Sequence, residues 1–210
     1  MTAVYTSIEA SMFKRLVQST ALAAEGPKGW MPAFQAVSIT LYENGTVEFA
    51  ATDRYRLAVA TLFADPKNPT LPPKDSIKHV ALVPAKELLA FANRIVVSKK
   101  VLRHVEMNLY TEAIDLIWNR WSHSIEIDSN ADDFVKYRDL MDKVEVKSDF
   151  ESVCFNPTFL ADAAKGCKLM SATTGMTIRF TDALRPAFFK PEYPVVGMDY
   201  TYLLMPRRPE

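Results

Sequence analysis

Apolar residues in the N-terminal part of the chain recur with the period of an amphipathic helix. The helical face is formed by Met12, Phe13, Leu16, Val17, Thr20 and Ala24. This spacing predicts a helix over about residues 9–25, ended by Gly26 and Pro27. A short strand, about residues 3–8, precedes it.

Beyond residue 36 apolar and polar positions alternate, which is typical of strands. Residues 37–41 and 47–51 alternate in this way on either side of Asn44-Gly45. An Asn-Gly pair between two such runs predicts a hairpin, because both residues tolerate a positive φ. A further strand, about residues 55–63, completes the order strand, helix, strand, strand, strand.

The same order recurs twice, beginning near residues 77 and 150. The second copy has a strand at 77–83, a helix opened by Pro84, and strands near 103–111, 113–119 and 121–128. The third has a strand at 150–155, a helix capped by Asn156 and ended by Gly166, and strands near 175–181, 185–190 and 199–205. We therefore predict three βαβββ units in an α+β fold. One unit cannot enclose a core alone, so the odd third unit should leave an apolar face exposed.

Composition and charge limit the classes of protein to consider. The 210 residues are 49% hydrophobic and 24% charged, as in an ordinary soluble globular protein. The 25 Lys+Arg balance 25 Asp+Glu, which argues against coating nucleic acid electrostatically but allows a local basic patch. No apolar run approaches the ~18 residues of a membrane span, and no signal peptide is evident. We expect a cytoplasmic protein that binds no membrane.

The sequence contains no recognisable constellation of catalytic or metal-binding residues. The three histidines are isolated from one another and from Cys154 and Cys167, which we interpret as free thiols of a reducing compartment. The single glycines form no phosphate-binding loop. The acidic run at 128–133 lacks the glycine and the closing glutamate of a calcium loop. We therefore expect no enzyme activity, no metal and no cofactor.

Basic residues accompany all three predicted helices. They are Lys14, Arg15, Lys86, Arg94, Lys99, Lys100, Lys165 and Lys168. Such residues could line one positive surface that faces phosphate groups, and these contacts would be independent of sequence and sensitive to salt. Taken alone, the pattern favours the simpler interpretation that these are ordinary solvated positions on the outer faces of helices.

Residues 49–59 (FAATDRYRLAV) carry the most specific motif of the chain. They closely resemble the ATDxxRLAV segment of the bacterial replicative sliding clamp, the beta subunit of DNA polymerase III. Further segments are similar to that family in the correct order: 12–17 (MFKRLV), 83–89 (VPAKELL), 133–141 (DFVKYRDLM), 155–160 (FNPTFL) and 202–207 (YLLMPR). The resemblance implies the DNA-clamp fold, with antiparallel sheets outside and helices on the inner face.

The resemblance also implies an unusual domain content. Clamps of this family have three domains of two βαβββ units each. Residues 1–145 resemble the middle domain with its two units, whereas residues 146–210 resemble only the second half of the last domain. We expect a shortened clamp, which is compatible with a phage origin.

In this family a hydrophobic pocket between the middle and last domains captures a short peptide carried by polymerases, the clamp loader and repair proteins. The positions that match it are Phe34, Thr52, Arg54, Tyr55, Arg56, Leu57, Leu140, Met141, Leu203 and Met205. Aromatic, Leu and Met side chains suit a site that accepts varied apolar anchors. Core packing is the alternative role for Leu57 and Met205.

The resemblance implies a ring around duplex DNA that holds a polymerase by effective concentration. Rings of this kind contain twelve units, so three-unit chains would close as a homotetramer. We expect double-stranded DNA, a DNA polymerase and a clamp loader as partners, in the cytoplasm at the nucleoid. The alternative is a clamp-like module or decoy that captures clamp-binding peptides without encircling DNA.

Overall fold

Antiparallel strands and short helices follow one another largely in the predicted order, apart from an additional helix and, among the residues that the structure describes, one missing strand before the last long helix. The computed structural model describes residues 4–24, 31–97, 102–127, 134–135, 137–142, 153–181 and 185–207. The strands are β1 Val4–Glu9, β2 Ala36–Tyr42, β3 Val47–Thr52, β4 Arg56–Leu62, β5 Ile77–Pro84, β6 His104–Leu109, β7 Ala113–Trp118, β8 Trp121–Glu126, β9 Met176–Arg179, β10 Ala187–Pro191 and β11 Met198–Leu204. The α-helices are α1 Ala10–Thr20, α2 Ala85–Arg94, α3 Tyr137–Asp142 and α4 Pro157–Met170.

The strands form two sheets, and the first two units exchange their first strands. One sheet has the order β1-β6-β7-β8, and the other has the order β5-β2-β3-β4-β11-β10-β9. Strand β1 of the first unit therefore pairs with the second unit, and β5 of the second unit pairs with the first. The third unit joins the larger sheet where its last strand, β11, pairs with β4 along the whole of both strands.

The helices α1, α2 and α4 lie side by side, with α1 in the middle. Phe13 of α1 is fully buried, and its ring makes edge contacts with Phe49 of β3 at 6.2 Å and with Phe91 of α2 at 5.9 Å. These contacts arise because every third or fourth residue of α1 is apolar and turns toward the sheets. The buried tyrosine Tyr200 of β11 donates a hydrogen bond to the carbonyl of Ser19 at 3.2 Å, which fixes the third unit to the first.

Several predicted helix boundaries are wrong. Helix α1 ends at Thr20 and is followed by a 3-10 helix over Ala21–Ala23, so the helical segment stops close to the predicted residue 25. The predicted stop at Gly26-Pro27 lies outside the described residues. Pro84 precedes α2 as its N-cap rather than opening it. Gly166 lies inside α4 instead of ending it. The position requires a glycine because a β-carbon there would collide with the Tyr200 hydroxyl.

The region between the second and third predicted units and the predicted strand before α4 also differ from the sequence prediction. Residues 137–142, for which the hydrophobic pattern predicts no element, form helix α3. Only residues 153–155 of the predicted strand 150–155 are described, and they make a single bridge, Cys154 to Arg207, rather than a ladder. The N-cap prediction for Asn156 is confirmed, since its side chain accepts from the Thr158 backbone at 2.9 Å. The boundary between residues 145 and 146 lies outside the described part of the chain.

Candidate functional site

A tight turn joins β3 to β4 and is held by its own side chains. Asp53, nearly buried, accepts hydrogen bonds from the backbone of Tyr55 and Arg56, both at 3.1 Å. The Thr52 hydroxyl donates to the Arg56 carbonyl at 2.7 Å and accepts from the Arg54 backbone at 3.2 Å. Short polar side chains that bond to nearby backbone stabilise such turns, which is why the Thr-Asp pair occupies these positions.

Arg54 has a left-handed backbone, with φ of 78°. Its exposed guanidinium lies 5.5 Å from the ring centre of Phe34 and 5.8 Å from that of Tyr55. A non-glycine residue in this region is strained by about 1–2 kcal/mol. The strain is concentrated where two aromatic rings and a cation meet at the surface, as is common at binding sites.

We expect Arg54→Gly to be more stable than Arg54→Ala by about 1 kcal/mol, because both variants lose the guanidinium and only glycine relieves the left-handed strain. The free energy of unfolding from urea titrations measures the difference. Arg120, an exposed arginine in the β7–β8 turn without a positive φ, provides the control. At position 120 the alanine variant should be more stable than the glycine variant. If glycine were the more stable variant at both positions, the inference of backbone strain at Arg54 would be wrong.

Arg56 connects this turn to the third unit. Its Nε donates to Asp53 at 2.8 Å, and its Nη1 pairs with Asp162 of α4. The guanidinium also lies 4.3 Å from the ring centre of Phe159. The Met205 backbone donates to the Tyr55 carbonyl at 2.9 Å. These contacts hold the turn, α4 and the end of β11 together.

A cavity of about 350 Å³ opens beside this turn. Its lining consists of Thr52, Arg54, Tyr55, Arg56, Leu57, Val135, Pro186, Leu203 and Met205. Leu57 and Leu203 lie opposite each other on β4 and β11 and form its largely buried floor. Tyr55 and Met205 are 57% and 38% exposed and form its rim. The cavity therefore combines an apolar floor with adaptable side chains at the entrance.

A second cavity, of about 380 Å³, adjoins the first. It shares Tyr55 and Met205 with it and is otherwise lined by Asn156, Phe159, Pro206 and Arg207. The side chains of Tyr55 and Met205 therefore lie between the two cavities. An extended peptide that crossed them could place one apolar side chain in each.

The structure brings seven of the ten predicted pocket residues into the first cavity and leaves three outside its lining. Phe34 adjoins it through Arg54, and Met141 lines a different cavity, beside Pro72 and Thr201. Leu140 belongs to α3, and its side chain lies outside the described part. Val135, Pro186, Asn156 and Phe159 were not predicted, although the last two lie in the segment 155–160 that resembles the clamp family.

Helix α3 is anchored by a buried carboxylate that sequence patterns do not reveal. Glu48 of β3 is 2% exposed. It accepts from Tyr137, from Nη2 of Arg138 at 2.9 Å and from the Thr61 hydroxyl at 3.1 Å. Burial, together with the neighbouring Glu48 charge, raises the pKa of Tyr137, which keeps this phenol a hydrogen-bond donor. This anchor holds α3 on the sheet, two residues after Val135, which lines the cavity.

The predicted DNA-facing residues differ in their exposure and contacts. Lys86, Lys165 and Lys168 are exposed on α2 and α4. Lys14 and Arg15 of α1 are partly buried and donate to the carbonyls of Ile95, at 2.9 Å, and Leu169. Arg94 lies 5.1 Å from the ring centre of Trp121, and Lys99 and Lys100 lie outside the described residues.

The described residues hold no group of three or more His, Cys, Asp or Glu side chains placed to bind a metal ion. Among the helices that the structure describes, none has the length and apolar character needed to cross a membrane.

Comparisons with known proteins agree on one family. No protein-family model matches the sequence. The beta sliding clamp of Streptomyces coelicolor is 35% identical over 96 residues, which are 46% of this chain and 23% of that protein. The fold is similar to the DNA polymerase sliding clamp of Pseudomonas aeruginosa, with a TM-score of 0.75, 15% identity, and coverage of 98% of this chain and 67% of that one.

The sliding clamp of Bacillus subtilis is a second structure with this fold, with a TM-score of 0.76 at 12% identity. The alignment covers 99% of this chain but 65% of that one, so the chain spans about two thirds of the length of a clamp. The segment matched in the Streptomyces protein is under a quarter of its length. The chain therefore has the α+β clamp fold of these proteins, and part of its sequence is similar to a beta sliding clamp.

Proposed function

We propose that this chain is a DNA sliding clamp, a processivity factor that encloses duplex DNA and tethers a DNA polymerase to it. The observation that carries the proposal is the cavity between the Thr52–Leu57 turn and the end of β11, in a chain with the clamp fold. A largely apolar cavity of about 350 Å³ with Tyr55 and Met205 at its rim suits a few apolar side chains of a short peptide. A polymerase and a clamp loader would bind through such peptides.

The proposed mechanism is topological rather than chemical. A closed ring cannot leave circular DNA, so a polymerase bound to the ring stays near the primer end at a high effective concentration. Tight binding to DNA is unnecessary, which agrees with the formal net charge of zero. The contacts with DNA would involve phosphates and would not depend on sequence.

The proposed ring consists of four copies of three units. The larger sheet supports such an assembly, because the last strands of two units, β4 and β11, pair antiparallel within the chain. The last strand of the second unit, β8, has β7 as its single neighbour among the described strands. The outer edge of β8 can therefore receive a strand from another copy.

A circular-DNA experiment tests this function. The protein is incubated with nicked circular plasmid at low salt, where subunits exchange, and is then washed at high salt. A ring should remain on the circle and be released when a restriction enzyme makes the DNA linear. Equal loss from circular and linear DNA at high salt would contradict encirclement.

Peptide capture without encirclement is the second candidate function. It is supported by the position of the cavity, which lies between the Thr52–Leu57 turn and the end of β11 of the same chain. A decoy of this kind would bind clamp-binding peptides as a monomer. It would fail the circular-DNA experiment and still bind the peptide.

A further inference from the structure

The first two units provide an internal rule for how two βαβββ units pair. Strand β1, which leads into α1, pairs antiparallel with β6, the strand that follows α2. Strand β5, which leads into α2, pairs in the same way with β2, the strand that follows α1. In each unit, the strand that follows the helix is therefore paired with the first strand of the other unit.

The third unit has a post-helix strand without such a neighbour. Strand β9 pairs with β10 on one side, and no described strand lies on its other side. Ile178 of β9 lies opposite Phe189, which is fully buried, yet Ile178 is 41% exposed. Opposite residues in a ladder share one face of the sheet. Ile178 therefore faces the core side at a place where the core is left uncovered.

The segment that leads into α4 has the conformation of the other two first strands. The N-cap residues Glu9, Pro84 and Asn156 have φ of −53°, −51° and −66° and ψ of 132°, 118° and 119°. In each unit the preceding residue packs on the core; these residues are Ile8, Val83 and Phe155. Residues 153–155 therefore occupy the place of a first strand.

The backbone of both segments directs hydrogen-bonding groups outward. The Gly175 carbonyl accepts from Glu192 beside β10, so the alternation of an antiparallel ladder directs the backbone of Met176 and Ile178 to the open edge. The Cys154 carbonyl accepts from Arg207 at 2.7 Å. The same alternation directs the backbone of Val153 and Phe155 to the opposite side.

We infer that the third unit pairs with the third unit of a second copy of this chain, each copy laying residues 153–155 against the open edge of β9 in the other. The register follows from the internal rule. Ile8 pairs with Val105, and Val83 pairs with Val37, which are the first core-facing residues of β6 and β2. The first such residue of β9 is Met176. Phe155 therefore pairs with Met176 of the second copy, Cys154 with Thr177, and Val153 with Ile178.

A second copy satisfies this contact through a two-fold axis. In an isologous interface residue i of one copy meets residue j of the other, and j meets i. The contact formed by Phe155 and Met176 is therefore made twice, and both open edges are closed together. The pairing covers Ile178 of each copy, and it concerns the third unit alone, so it stands whether or not the protein binds DNA.

A disulfide crosslink tests the register. Cys154 is exposed, and Thr177→Cys would place a second thiol directly opposite it in the partner, in a pair of the closely spaced type. Mild oxidation should give a covalent dimer of twice 23.7 kDa on a non-reducing gel. Cys167 will not compete, because burial inside α4 raises its pKa to about 12. Adding Cys154→Ser to this variant should remove the dimer.

Ile178→Cys is the matched control, since residue 178 is also exposed but its side chain lies on the opposite face of β9 from Thr177. It should crosslink at least tenfold more slowly than Thr177→Cys. Equal rates would indicate random collisions and would overturn the register. Absence of crosslinking in both variants would overturn the pairing itself.

The mass in solution provides an independent test without cysteine chemistry. Ile178→Lys places a charge on the edge that the second copy would cover, and it should shift the wild-type oligomer to a smaller species in sedimentation at micromolar concentration. Ile77→Lys is matched in exposure, 39% against 41%, and lies on β5. It should leave the mass unchanged. A monomeric wild-type chain, or the same mass for wild type and Ile178→Lys, would overturn the inference.

Discussion

Met205→Asp should abolish binding of a clamp-type peptide while leaving the protein folded. Met205 lines both cavities, so a bound peptide would bury the new carboxylate against apolar groups. An unpaired buried charge costs several kcal/mol, which corresponds to more than about 100-fold in affinity. The side chain is 38% exposed in the free protein, so the carboxylate stays hydrated there. Fluorescence anisotropy with a labelled peptide measures the affinity, and thermal unfolding measures the fold.

Two further variants make this result specific. Leu71→Asp introduces the same charge at a residue of similar exposure, 43%, that lines neither cavity, and it should bind the peptide like the wild type. Met205→Leu keeps the apolar volume and should retain most of the affinity. Peptide binding by Met205→Asp with undiminished affinity would exclude these cavities as the peptide site.

Leu57 is a poorer probe than the sequence alone suggests. It matches the same family pocket, but it is 8% exposed and packs in a small apolar cluster with Val59, Phe134 and Leu203. A charged residue there would lose core packing as well as the cavity floor. Leu57 thus belongs both to the packed core and to the cavity floor, whereas Met205, at the rim, is chiefly part of the cavity.

Local sequence patterns predict which segments form helices and strands better than they predict which strands pair with each other. The period of α1 and the Asn-Gly hairpin depend on neighbouring residues, and both are found where the sequence places them. The exchange of β1 and β5 between units joins residues far apart in the chain. Hydrophobic periodicity shows which face of a strand is buried but not which strand lies beside it.

The candidate site likewise combines residues that a local motif predicts with a residue that only a distant contact brings in. The turn residues Thr52–Leu57 form one contiguous motif and are found together at one cavity. Val135 reaches that cavity because α3 is anchored on the buried Glu48. A helix of six residues has little stability of its own, so its position depends on this distant carboxylate. No local signal in the sequence announces such a contact.

Neutralising Lys86, Lys165 and Lys168 together should weaken DNA binding in a salt-dependent manner. All three are exposed on α2 and α4, which would face the DNA in the proposed ring. Each lost phosphate contact lowers the slope of log affinity against log salt by about 0.9. In the variant with all three lysines replaced by glutamine, the magnitude of this slope should therefore fall by about 2 to 3. The slope is measured with a labelled duplex between about 50 and 200 mM salt.

The choice of these three lysines follows from the contacts of the others. Lys14 and Arg15 donate to carbonyls at the ends of α2 and α4, so their replacement would disturb the helix layer as well as the charge. The control replaces Lys67, Lys78 and Arg120, which are exposed and lie outside the helices. It removes the same charge, so a purely long-range effect would weaken binding equally in both variants. An equal salt slope in the two variants would show that α2 and α4 do not face the DNA.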